Sequence, residues 1–242
     1  ELVNTSLAAT IAPSESDWRV KVVAYFKQLF VAPITSFFAA YGAAAWAILA
    51  LVSLYRLSDI VMGVMANPFY LDQGYSKAEI ASIAKGLGFG MSILGAFLGG
   101  LLVVRFGVLK TMLGGALLVA ITNLMFAFLA GQQADLRLLA IVISLDNLSG
   151  GVSATSFVAY LSGLTQREFT ATQYALFSSL MTLPGKLMSG FSGLAVDALG
   201  YYGFFMGSAI LGLPAIALTI WAIRQRPPEG SSEILQETRE LH

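Results

Sequence analysis

The sequence predicts an all-α polytopic membrane protein of six transmembrane helices, arranged as two inverted three-helix repeats. Three observations carry that expectation. The 242 residues are 57% hydrophobic and only 12% charged, with a mean hydropathy of +0.75, whereas a soluble domain carries about 25% charged residues. Six apolar blocks each supply the roughly 20 residues a helix needs to cross a hydrocarbon layer about 30 Å thick. They are continuous, without the in-out alternation of a barrel strand, and only helices or closed barrels leave no backbone group unpaired in lipid. Finally, the beginnings and ends of two blocks recur at nearly one offset.

In chain order, residues 1–16 are polar and rich in Ser, Thr, Ala and Pro, the composition of a linker. They lack the apolar core and small-residue cleavage site of a signal peptide. From Trp18 on, Val22, Tyr25, Phe26 and Leu29 follow at helical spacing, with Arg19, Lys21 and Lys27 elsewhere on the wheel. That pattern predicts a basic helix lying in the cytoplasmic interface and stopping near Pro33, within residues 1–41. The spans are expected at 43–67, 77–104, 109–130, 136–164, 171–199 and 201–223, within a bundle covering 42–224. Residues 225–242, largely PPEGSSEILQETRELH, read as a soluble tail.

Charge orients the bundle. Arg19, Lys21, Lys27, Arg105, Lys110, Arg167, Arg224, Arg226 and Arg239 fall on one side if the blocks alternate, against Lys77 and Arg137 on the other. The positive-inside rule then places both termini in the cytoplasm. A net charge of zero argues against a nucleic-acid partner. With no cysteine and a single terminal histidine, His242, no metal site, thiol chemistry or cofactor is expected.

The repeat rests on two fingerprints. SKAE at 76–79 and TATQ at 170–173 both fit a capping box, Ser or Thr at the N-cap and Glu or Gln three residues on, 94 residues apart. GLLVVRFG at 100–107 and GLAVDALG at 193–200 match at an offset of 93. Three helices per unit is an odd number, so the second unit crosses the membrane upside down relative to the first, as in secondary transporters.

Five ionisable side chains lie at membrane depth: Arg56, Asp59, Lys85, Asp146 and Lys186. Insertion of each is charged about 2.5 to 3.5 kcal/mol at a helix centre, so each is a candidate for function, or for a structural role, facing protein or water. Arg56 and Asp59, three residues apart, share a helix face and can pair. Lys85 stands about two turns into its helix, within snorkelling reach of the outer interface. Asp146 is followed by Asn147 and then by Gly150 and Gly151, which permit close helix approach. Lys186 follows Pro184 and Gly185, where a kink would free carbonyls and open a hydrated notch. Gly86, Gly88, Gly90, Gly95, Gly99 and Gly100 form a small-residue stripe for helix packing; GLGFG at 86–90 lies inside a helix and is not a phosphate loop. Phe37, Phe38, Tyr41 and Trp46, and at the other side Tyr201 and Tyr202, read as interfacial aromatic belts. Asn123, Gln166, Gln173 and Tyr174 fit either a polar path or packing.

The segment from Gly100 through Arg105 and Gly107 to Lys110 resembles the cytoplasmic loop signature of the major facilitator superfamily, with Val104 where the family has an acid and Asp197 keeping it in the second copy. YRLSD at 55–59, AKGLG at 84–88, LDNLSGG at 145–151 and FTATQYALFSSLMTLPGKLMSG at 169–190 are together similar to the C-terminal half of the AmpG-type muropeptide permeases. The resemblance covers about residues 43–224. It implies half of a twelve-helix fold, an N-terminal six-helix half as partner, and proton-coupled import of anhydro-muropeptides across a bacterial inner membrane. Arg56, Lys85, Asn147 and Lys186 would then meet the anionic sugar-peptide. Asp59 and Asp146 would carry protons, since a carboxyl in a low-dielectric cavity can exchange a proton near neutral pH. Another anionic cargo, such as an acyl-coenzyme A, and a non-transporting scaffold subunit are the alternatives. Intramembrane aspartyl proteolysis fits poorly, because neither aspartate sits in a Gly-x-Gly-Asp setting.

Overall fold

The computed structural model describes residues 31–225, and all regular structure among them is helical. The basic segment Trp18–Leu29 and the soluble tail lie outside the described residues. α1 spans Ala32–Tyr41 with Pro33 in its first turn, where a missing N–H costs nothing. Pro33 thus opens α1; the helix expected to stop near it lies outside the described residues. Gly42, at φ 53°, lets the chain leave α1 in a conformation a side chain would strain.

The first crossing, Ala44–Asp72, is broken into α2 (Ala44–Leu54) and α3 (Leu57–Asp72). The break falls at Tyr55–Arg56, with Arg56 at φ −97° and ψ 1°. The second crossing, Lys77–Phe106, is opened by the predicted capping box: Ser76 accepts from the Glu79 amide, and the Glu79 carboxylate accepts from the Ser76 amide at 2.8 Å. It comprises α4 (Lys77–Ser82), a π-helical stretch Ile83–Gly88 and α5 (Phe89–Phe106). α6 (Val108–Ala130) and α7 (Leu136–Leu164) are single helices, the latter capped by Asp135, whose carboxylate accepts from the Arg137 amide at 2.8 Å.

The remaining chain forms α8 (Thr170–Ser189), α9 (Ser192–Leu211) and α10 (Leu213–Gln225). By length and hydropathy, five stretches can cross a membrane, and the last of them, Ser192–Gln225, looks continuous. Its contacts show a hairpin. Ser192 donates to the Val61 carbonyl, Tyr201 to the Asp72 carboxylate at 2.6 Å, and Ser58 to the Ser208 carbonyl at 2.6 Å. The chain therefore climbs along α3 from Val61 to Asp72 and returns to Ser58, reversing at Gly200. That residue adopts φ 69° and ψ 172°, nearly the φ 82° and ψ 163° of Gly107, which joins α5 to α6. One backbone turn thus recurs at the offset read from the sequence, and the crossings are six, with 170–199 and 201–225 as the fifth and sixth.

The second capping box does not form. Phe169 occupies the N-cap without a side-chain bond, and the Thr170 hydroxyl donates back to the Gln166 carbonyl. Gln173 is used elsewhere: buried at 1% exposure, it donates to the Pro33 carbonyl at 2.9 Å and accepts from the Gln166 amide at 2.7 Å. Packing of α1 against this corner gives the amide better-shielded partners than a cap would. Phe37, expected in an aromatic belt, is likewise buried there, its ring 5.2 Å from that of Phe177.

The core falls into two apolar clusters. One gathers Phe37, Leu51, Tyr55, Met112, Phe157 and Phe177; the other gathers Leu57, Met62, Phe69, Phe126, Leu139 and Phe205. Near the boundary between them lie polar residues, among them Ser58, Thr122, Asn123, Ser149 and Ser208, all buried. A polar layer therefore crosses the middle of the bundle.

Glycines fix how closely α5 and α7 approach. A Cβ on Gly95 would run into the Leu148 carbonyl and backbone, and one on Gly99 would come within 3.0 Å of Val152 Cα. Gly90 and Gly100 face open space instead, so only part of the predicted stripe packs. Gly95→Ala is expected to destabilise the bundle by about 1 to 3 kcal/mol, the scale of overpacking. Gly90→Ala should leave thermal unfolding in detergent unchanged; equal melting of the two variants would contradict this account.

Candidate polar site at mid-membrane

The helix break between α2 and α3 is what presents Arg56 and Asp59. Arg56 Nη2 donates to Asp59 Oδ2 at 2.5 Å, with the two side chains 26% and 24% exposed. Two charges of opposite sign one helical turn apart cancel much of each other's insertion cost. Beside them lies a narrow cavity lined by Tyr55, Ser58, Asp59, Val119, Ser153 and Gly212. Its polar rim is fixed: Ser153 donates to the Tyr55 hydroxyl oxygen at 3.3 Å, and Tyr55 donates to the Met112 carbonyl at 2.8 Å.

Asp146 enters the same layer from α7, half-buried, accepting from the Thr122 hydroxyl of α6 at 3.2 Å. It lies within electrostatic reach of Asp59. The structure thus brings three of the sequence-selected residues, Arg56, Asp59 and Asp146, to one level. The neighbouring Asn147 turns to a different helix. It donates to the Ile143 carbonyl at 2.8 Å, accepts from Ser92 at 3.1 Å, and packs on Gly88.

Lys85 is exposed in the π-helical stretch, and Lys186 is exposed near the end of α8. Neither has an ion-pair or hydrogen-bond partner through its ammonium among the described residues. α8 runs on through Pro184 and ends at Ser189, so the notch expected after Pro184 is not where the helix breaks. Gly185 serves close approach instead: a Cβ there would press on Ile60, the residue after Asp59. Lys186 therefore follows the point where α8 crosses α3 beside the ion pair. At the loop signature, Arg105 and Lys110 are exposed around the positive-φ turn at Gly107, and Gly100 borders open space.

Ser58, Thr122, Ser149, Ser153 and Ser208 were not selected from the sequence. A hydroxyl in a membrane helix ordinarily bonds its own backbone, so singly each is uninformative. Their depth was the available signal, since each stands toward the middle of its crossing.

Comparison with known proteins bears on the same stretch of chain. The family model described as Major Facilitator Superfamily matches residues 47–241. The chain belongs to the Major Facilitator Superfamily. This superfamily member is 34% identical over 174 residues to a Rickettsia conorii protein that carries the name transporter AmpG 4, covering 72% of the chain and 42% of that protein. It is 33% identical over 173 residues to one named transporter AmpG 1 in Rickettsia prowazekii, covering 72% of the chain and 39% of the relative. A Haemophilus influenzae protein without a functional name is 31% identical over 204 residues, 81% of the chain and 48% of that protein. The chain spans less than half the length of the curated relatives it matches. The superfamily is one of multi-pass membrane transporters of small molecules, and the apolar composition of this chain fits a multi-pass membrane protein.

Proposed function

We propose that this chain supplies the C-terminal six-helix half of a secondary transporter that imports anionic sugar-peptides, anhydro-muropeptides, by proton symport across a bacterial inner membrane. The polar layer at mid-bundle carries the reading: Arg56 and Asp59 pair, and Asp146, bonded to Thr122, lies within electrostatic reach of Asp59, between two apolar clusters at the level where charge is most costly. An N-terminal half is supported by the relatives' greater length. Apolar side chains exposed on the second and fifth crossings, Phe97, Leu101, Leu187 and Leu194, give it and the surrounding lipid a surface to cover. In this reading residues 1–41 form the connector between halves, residues 225–242 the tail, and both termini are cytoplasmic. Rocking of the two repeats about the layer would expose Asp59 and Asp146 to each side in turn. The AmpG names of relatives favour the muropeptide cargo over an acyl-coenzyme A.

Lys85 and Lys186, cations without a partner among the described residues, fit the carboxylates of such a cargo, with Arg56 and Asn147 as the remaining polar contacts. Lys186→Gln and Lys85→Gln in the full-length transporter should each raise the KM for radiolabelled anhydro-muropeptide roughly tenfold, the scale of one lost charge-assisted contact. Unchanged KM in both would remove the lysines from the binding site. Competition by acyl-coenzyme A but not by muropeptide would replace the cargo.

A further inference from the structure

The carboxylate of Asp146 is met by one hydrogen with two places to go. The Thr122 hydroxyl lies 3.2 Å from Asp146 Oδ1 and 3.0 Å from the Val119 carbonyl of its own helix. A hydroxyl has a single proton and serves one acceptor at a time. A charged carboxylate is the stronger acceptor and takes it. Once Asp146 is protonated it can donate to Thr122 Oγ1, and the Thr122 hydrogen turns back to Val119. Ser149, 3.4 Å from the Thr122 oxygen and bonded to the Asp146 carbonyl, backs this position from α7.

The next residue ties α6 to two other parts of the bundle. Asn123 is 0% exposed and donates to Ser58 Oγ at 2.6 Å, and Ser58 in turn donates to the Ser208 carbonyl at 2.6 Å. Ser58 immediately precedes Asp59. Thr122 and Asn123 thus connect Asp146 on α7 to the carboxylate-bearing segment of α3 and to α9. Asn123 Oδ1 is buried without a partner among the described residues, and turning the amide would orphan Nδ2 instead. One end of this side chain is therefore free to take a water or a shifted neighbour. The other charged groups on elements packed against α7 are Lys85, Arg105, Lys110 and Lys186, all exposed. From α3, Asp59, paired to Arg56, and Tyr70 complete the field at Asp146.

We propose that Thr122 and Asn123 are positioning residues that transmit the protonation state of Asp146 to the segment of α3 carrying Asp59. The inference rests on the reading of Asp146 as a proton carrier. The switch is the Thr122 hydrogen and the lever is the Asn123–Ser58–Ser208 chain.

The test uses the full-length transporter in proteoliposomes, with proton-driven uptake followed across pH. Thr122→Val keeps the shape and removes the donor. It should move the pH midpoint of uptake upward by about one unit, the worth of one hydrogen bond to a charged acceptor. Thr122→Ser should restore the midpoint. Asn123→Leu should leave the midpoint in place and lower the maximal rate roughly threefold or more, at constant KM. If Thr122→Val does not fold, Thr122→Ala is read by the same midpoint. An unchanged midpoint in a folded Thr122 variant, with Asp146→Asn uncoupled, overturns the inference and leaves the proton-carrier reading standing. Proton-driven uptake persisting in Asp146→Asn overturns that reading, and the inference with it.

Discussion

Replacing Asp146 by Asn in the complete transporter is expected to reduce proton-driven uptake to background while substrate exchange at equal concentrations continues. The asparagine is nearly isosteric and can still accept from Thr122, so the hydrogen bond at 3.2 Å and the packing of α6 on α7 survive. What disappears is a group able to take and release a proton. Net accumulation driven by a pH gradient needs that group, whereas exchange returns every conformational step without net proton movement. The paired measurement is therefore decisive. Loss of both activities would point to a misassembled bundle, which melting in detergent reports. Retention of both would remove Asp146 from coupling. A charge at this depth with no coupling role would then have to be explained by packing alone, against an insertion cost of about 2.5 to 3.5 kcal/mol.

The second large effect concerns the ion pair, and its size depends on which partner is removed. Asp59→Asn leaves Arg56 without its counter-charge in the middle of the bundle, and a guanidinium cannot shed its proton. Breaking one side of a buried pair costs about 3 to 5 kcal/mol; these side chains are about a quarter exposed, which lowers the figure toward 2. Arg56→Gln leaves Asp59, which can neutralise itself by taking up a proton, so the loss should be smaller. The double variant removes both charges and should fold better than either single one. The expected order of thermal stability in detergent is therefore double, then Arg56→Gln, then Asp59→Asn. If Asp59→Asn proved the most stable of the three, the pair would not be shielding Arg56. Transport should be lost in all three if the charges act in the cycle, so stability and activity will separate in the double variant.

Much of the architecture was legible because its causes are local. An apolar run of about 20 residues has few fates other than a membrane helix, so the spans at 77–104, 109–130 and 136–164 lie within two residues of the observed helices at each end. The turn at Gly107 and its copy at Gly200 were readable because positive φ strongly favours glycine. The pairing of Arg56 with Asp59 followed from helical spacing and was retained even though the helix breaks at Arg56 itself. The capping box at Thr170 failed for a non-local reason. Gln173 found Pro33 and Gln166 more than one turn of chain away, and no local pattern encodes that α1 folds onto this corner.

The sequence by itself determined that this chain lives in a bilayer, crosses it six times, repeats a three-helix unit, and carries charges in places that lipid penalises. Those are consequences of composition, length and spacing, each a sum over neighbours in the chain. Beyond the local Arg56–Asp59 pair, only the tertiary structure decided which polar and charged groups share a level. Arg56, Asp59 and Asp146 share one layer with Thr122, Asn123 and Ser208, while Lys85, Lys186 and Asn147 look elsewhere. The physical reason is that a helix fixes the depth of a residue through its rise but leaves open which neighbour its face will touch. Contacts such as Gly185 on Ile60 and Gly95 on Leu148 settle that choice.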